Sequence, residues 1–158
     1  MSKKVKILII IAIVVAATIA IVLMIKPNKE KSFDIEELRK QSLSYYEDYE
    51  LRILDFMDMT ALFGIDKDND ENSMFLANIS NEEIKKEDMF ILIVMNTNDS
   101  DYYDIFQSYV DSEKNYEDNE KILELFNNSI LKKGKNYTYF ILGDNPKEIE
   151  KDILLQYK

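Results

Sequence analysis

The chain has no cysteine and no histidine, and only three glycines and two prolines in 158 residues. Without cysteine there are no disulfides, no thiol chemistry and no lipid-modified cysteine to serve as an anchor. Without histidine the side chain that most often serves as general base, and as metal ligand, is gone. Serine and threonine hydroxyls therefore have no histidine partner, and no local motif marks a Ser–Lys dyad. Three scattered glycines do not build a phosphate-cradling loop. What chemistry remains rests on carboxylates, amides, hydroxyls and lysines.

One stretch stands apart from the rest. The run that starts at Ile7 and ends at Ile25 carries no charge, and Thr18 is its only polar side chain. As a helix it would be roughly 28 Å long, close to the ~30 Å hydrocarbon core of a bilayer. Eight isoleucines, two leucines and three valines fill it, and together they favour insertion by on the order of 6 kcal/mol. It lacks the polar face of a soluble core helix. It is longer than the ~7–15 apolar residues of a cleaved signal, and no polar segment follows its small residues. The expectation is an uncleaved single-pass signal anchor over residues 7–25. A basic N-terminus (residues 1–6) stays in the cytoplasm, residues 26–33 form a short linker, and residues 34–158 form an extracytoplasmic domain. Lys3, Lys4 and Lys6 on one side and Lys26, Lys29 and Lys31 on the other leave the positive-inside rule nearly balanced. The orientation therefore follows from the short basic N-terminus.

Of the 20 basic residues 14, and of the 30 acidic residues 29, lie beyond Lys31, so the domain carries about −15. Such a field repels nucleic acid and anionic surfaces and sets nucleic-acid binding aside. Ten tyrosines and eight phenylalanines supply the mass for a core.

Along the domain, Asp34 and Glu37 have capping-box spacing. Apolar positions then recur every three or four residues from Ile35 to Thr60, which predicts one helix of about 25 residues stopped by Gly64. Residues 66–72 are an acidic loop. Residues 74–79 and 89–95 read as strands, the second apolar throughout as a central strand covered on both faces would be, with a short helix around residues 81–86. Helices are predicted from residues 98–100 to 113 and over 119–128. Residues 129–133 and 137–142 form a hairpin around Gly134. A last helix over 147–157 has Pro146 in its first turn. The order predicts an α+β domain: a long helix, then a mostly antiparallel sheet of about four strands packed with helices.

This pattern resembles a known family. A long helix ending in MTALFGID is followed by an acidic step, a strand pair and a helix turning near Tyr116. The segment ILKKGKNYTYFILGDNPKEIEKDIL then closes the chain. The chain is similar, over about residues 34–157 and at Gly64, Tyr116, Gly134 and Tyr137, to the family catalogued as domain of unknown function 4358. That family occurs in envelope proteins of Gram-positive bacteria related to clostridia. Many members look like lipoproteins held by a cysteine; this chain departs from them in having an apolar helix instead. The resemblance implies a membrane-tethered extracytoplasmic domain and carries over no catalytic residue.

Three candidate sites follow from the residues. Asp66, Asp68 and Asp70 alternate like the first ligands of a calcium loop, but Glu71 stands where the glycine is needed and Ala77 where the bidentate glutamate is needed. What remains is a surface site for Ca²⁺ set against a solvated acidic turn. The pairs Tyr45–Tyr46 and Tyr102–Tyr103 offer aromatic faces for a partner or simply cover the sheet. Two converging carboxylates would make a cell-envelope hydrolase, though 29 acids form pairs at any spacing by chance. The leading expectation is a non-enzymatic binding module for a protein or cell-envelope partner; the alternatives are the carboxylate hydrolase and a divalent-cation sensor.

Overall fold

Five consecutive aliphatic residues, Ile91–Met95, form the strand around which the domain is built, and every one of them is fully buried. The computed structural model describes residues 31–66, 68, 71–78, 86–97 and 99–158. The anchor predicted for residues 7–25 lies outside the described residues, as does most of the short helix expected near residues 81–86. Among the described residues no helix is long and apolar enough to cross a membrane. In chain order the elements are α1 (Ile35–Tyr45), β1 (Arg52–Ile53), α2 (Phe56–Phe63), β2 (Ser73–Ala77), β3 (Ile91–Met95), α3 (Ser100–Tyr116), α4 (Glu120–Asn128), β4 (Ile130–Lys133), β5 (Thr138–Leu142) and α5 (Pro146–Leu155). The fold is α+β, with an antiparallel sheet in the order β1-β2-β3-β5-β4.

The strands alternate as a pleated sheet must. Phe75, Ile91, Ile93, Met95, Phe140 and Leu142 point to one face, where α2, α3 and α4 cover them with Met59, Phe63, Phe106, Val110, Ile122 and Phe126. Met74, Leu76, Leu92, Val94, Tyr139 and Ile141 point to the other, where α1 and α5 supply Ile35, Leu38, Ile149 and Ile153. An antiparallel sheet commonly leaves one face to water; here helices cover both, which is why the central strands read as unbroken apolar runs. From β3 the chain crosses through α3 and α4 to the edge strand β4, then returns as β5 between the two.

Two expectations are corrected. The single helix of about 25 residues is broken: α1 ends at Tyr45, a 3₁₀ turn follows at Glu47–Tyr49, and α2 begins at Phe56. The break has a physical cause in Asp55 and Asp58. The Asp55 carboxylate accepts the Asp58 N–H at 2.9 Å and the Asp58 carboxylate accepts the Asp55 N–H at 3.0 Å, a reciprocal cap that starts a new helix. Arg52 donates twice to Asp58, at 2.5 and 2.7 Å, and holds that carboxyl down at about 2. Glu50, at φ +50°, turns the chain between the helices. The turn also creates β1, so the sheet has five strands rather than about four. Gly64 does stop the second helix, at φ +67°, with the Ile65 N–H bonded back to Met59 O in a Schellman-type end.

The start and end of the domain lie side by side. Ser32 donates to Lys158 O at 3.0 Å and Lys158 donates to Ser32 O at 3.2 Å, with Phe33 bridged to Tyr157. Asn96 clamps the same segment, its side chain accepting from Phe33 N at 2.8 Å and donating to Phe33 O at 2.7 Å. Because Asn96→Ala leaves both main-chain groups without these partners, it should cost about 1–3 kcal/mol in urea unfolding. At the β4–β5 turn, a Cβ on Gly134 would stand 2.3 Å from the Tyr137 ring. That ring is itself packed against Phe33, Tyr139 and Tyr157.

Candidate functional site

The helices on the second face, α1 and α5, come from opposite ends of the domain and leave a groove between them. Leu38, Tyr46, Ile153 and Leu155 line it with Tyr45, while Gln41, Ser42, Asp152 and Gln156 supply its polar positions. Gln156 donates to Gln41 at 2.9 Å and so ties the two helices together. The groove is anchored from beneath by a cluster of rings: Tyr45 meets Tyr46 edge-on at 5.2 Å, and Tyr46 and Tyr49 rest tilted on Phe90 at 5.3 and 4.7 Å. Burial, reinforced by the charges of Asp152 and, more weakly, Glu148, pushes the Tyr46 hydroxyl up to about 12. It therefore stays protonated at neutral pH.

Above this buried floor the groove is unusually apolar for an open surface. Tyr45 is 76% exposed and Leu155 67%. A volume of about 200 Å³ is below the roughly 300–1,000 Å³ of most small-molecule pockets, and suits a few side chains of a larger partner. The two predicted tyrosine pairs behave differently. Tyr45 stands in solvent beside the groove, whereas Tyr102 and Tyr103 are half-buried on α3, with Tyr102 packed on the opposite core.

The α5 side of the groove is fixed to the sheet by Glu150, which binds Lys132 of β4 at 2.6 Å and accepts the Tyr139 hydroxyl at 2.5 Å. Burial opposes the charge on Glu150, but the bonds from Lys132 and Tyr139 outweigh it and hold the carboxyl below its ordinary value.

Carboxylates gather at the end of the sheet where β5 finishes. Asp144 lines three adjoining cavities, of about 340, 320 and 250 Å³. Glu87, Asp88 and Glu124 share the first with Lys121; Asp48 and Glu50 share the second with Asn78. Asn78 is buried and fully used, donating to Asp88 O at 2.8 Å and accepting from Phe90 N at 2.7 Å, so that it closes the β2–β3 connection. In the first of them Glu87 pairs with Lys121 at 3.6 Å, while Asp58 and Glu150, also tied into ion pairs, are both held low and line none of the three.

Of the predicted cation ligands, Asp66 and Asp68 are exposed and Asp70 lies outside the described residues. Among the described residues no cluster of three or more acids, histidines or cysteines has the geometry to hold a metal ion. Comparison of the chain with family models, with curated protein sequences and with solved structures finds no significant match.

Proposed function

We propose that the protein is a membrane-tethered, extracytoplasmic binding module, held by residues 7–25 and without catalytic activity, whose α1–α5 groove receives a segment of a partner protein. The observation that carries this reading is the groove's exposed apolar rim, Tyr45 and Leu155, on a floor too shallow for most metabolites. Exposed aromatic and aliphatic anchors beside a pocket are the usual centre of a protein–protein contact. Charge selects the partner's chemistry: Asp152 at the groove and a domain of about −15 favour apolar side chains flanked by lysine or arginine. Membership in the family called domain of unknown function 4358, with its envelope setting, belongs to the same proposal.

A photo-crosslinking residue in place of Tyr45 tests it in intact cells. One dominant adduct is expected at that position and none at Glu124, on α4, which covers the opposite face of the sheet. Leu155→Asp should reduce the adduct at least tenfold without changing the far-ultraviolet dichroism. Absence of any adduct, or equal labelling at Glu124, would overturn the reading.

The carboxylate hydrolase keeps one supporting observation, the cavity where Glu87, Asp88, Glu124 and Asp144 meet. It requires that Asp88→Asn or Asp144→Asn abolish a cell-wall-degrading activity of the parent chain.

A further inference from the structure

A serine inside an α-helix often turns its hydroxyl back onto the carbonyl four residues before it. Ser42 does not. It stands in the last turn of α1 and is only 4% exposed. Its carbonyl accepts the Tyr46 N–H at 3.0 Å, but its Oγ has no hydrogen-bond partner among the described residues. The residue lines the α1–α5 groove. Four positions on, the Tyr46 hydroxyl lines the same groove and is likewise without a hydrogen bond among the described residues. Asp152 faces the groove from α5, exposed and in no ion pair among the described residues, and its charge is felt at the Tyr46 hydroxyl. Gln41 and Gln156, the other polar side chains there, are turned to Glu37 and to each other. Asp152 also carries the one formal charge among the described lining residues. Lys40 and Lys151, exposed on the same two helices, do not line the groove, and Arg39 is turned to Ser73 O at 2.9 Å.

We infer that the groove receives one lysine side chain of the partner segment, whose ammonium is taken by Ser42 Oγ, the Tyr46 hydroxyl and the Asp152 carboxylate. This rests on the groove reading given above and is independent of the anchor. An ammonium has three donors and no acceptor, and the two hydroxyl oxygens and the carboxylate supply acceptors for it. The aliphatic stem of a lysine suits the apolar lining of Leu38, Ile153 and Leu155, and the ring of Tyr45 at the rim suits a cation. A groove of about 200 Å³ has room for one long side chain rather than several. The alternatives fit less well. A carboxylate or phosphate is repelled by Asp152. An apolar side chain seated over Ser42 takes water from a hydroxyl that has no other partner, which costs free energy without return. A guanidinium is a planar fork matched to two oxygens of one group, whereas the oxygens here belong to three side chains on two helices.

The test is fluorine NMR on the full chain in lipid nanodiscs, with a trifluoromethylphenylalanine in place of Tyr45 as reporter. The probes are the peptide acetyl-Leu-Lys-Leu-amide, the same peptide with norleucine or glutamate for lysine, and n-butylammonium. The lysine peptide should shift the signal saturably and bind at least fivefold more tightly than the norleucine peptide, with the glutamate peptide weakest. Asp152→Asn should weaken the lysine peptide about fivefold, an exposed charge being worth little more, and high salt should shrink that difference. Ser42→Ala should weaken it about threefold. Because the Ser42 hydroxyl has no partner in the fold, the same substitution should leave the urea midpoint unchanged or raise it, alanine being the better helix former. A lower midpoint would show that the hydroxyl serves the fold, and would overturn the inference. So would equal binding of the lysine and norleucine peptides, but that result leaves the groove standing as an apolar docking site. Butylammonium binding as tightly as the peptide would make a free amine the ligand and overturn the partner lysine. No saturable shift with any probe, together with no adduct at Tyr45 in cells, overturns the groove reading and this inference with it.

Discussion

Phe140→Ala is expected to lower the unfolding free energy by about 3–5 kcal/mol, a large share of the 5–15 kcal/mol typical of a domain. Phe140 is fully buried at the middle of β5, between Ile93 of β3 and Leu131 of β4. Its ring lies parallel to Phe106 at 5.7 Å and meets Tyr109 edge-on at 6.3 Å. Strand and helices are thus joined through one side chain, and both layers are too well supported elsewhere to collapse into the space it leaves. Phe140→Leu keeps most of the volume and should cost about 1–2 kcal/mol. Urea unfolding of the two variants beside the parent chain tests the claim. A loss below about 1.5 kcal/mol for the alanine variant would mean that α3 does not pack on β5 as described.

The second large effect is expected in alkali. Burial raises the hydroxyls of Tyr46, Tyr109 and Tyr139 above the ordinary value of 10.0, with neighbouring acids adding to it in each case. For Tyr139 the bond to Glu150 adds further. The folded form therefore keeps these groups protonated while the unfolded chain ionises near its ordinary value. By linkage, their contribution is complete below pH 10 and drains away as the pH climbs: through about 12 for Tyr46, and higher for the other two. Tyrosinate absorbance and dichroism should accordingly change together above pH 10, in one cooperative step that takes in these three rings. If all ten tyrosines ionise in a single transition centred on the ordinary value, with the dichroism intact, the packing of Tyr109 and Tyr139 is not as the structure has it.

Much of the architecture is legible in the residues because apolar patterning is a local property. The run at Ile91–Met95 declares a strand covered on both faces, Gly134 marks a hairpin and Pro146 opens α5. The error over α1 and α2 is instructive. The apolar spacing continues in helical register through Ile53 even though the backbone does not, and there it no longer marks burial: Ile53 and Phe56 are exposed while Leu54, off the stripe, is fully buried. The signal that separates them, Asp55 and Asp58 at capping spacing, was present in the sequence and was outweighed by periodicity. A strand of two residues is too short to have a period of its own.

The groove was only half legible. An adjacent tyrosine pair on α1 suggests an aromatic face, but nothing local tells Tyr45, in solvent, from Tyr46, folded onto Phe90. Its second wall is 115 residues away along the chain, as the Gln41–Gln156 bond measures, and no spacing rule reaches that far. The acidic cavities are likewise assembled from five separate segments that meet at Asp144.

The side-by-side pairing of Ser32 with Lys158 also has a mechanical consequence. Tension along a tether attached at Lys31 would be borne first by those two hydrogen bonds and by the amide of Asn96. From there it would pass through Tyr157 straight into α5, and the loaded helix is a wall of the groove. A pull of that kind would therefore reach whatever the groove holds at the same time as it reached β3, which Asn96 directly follows.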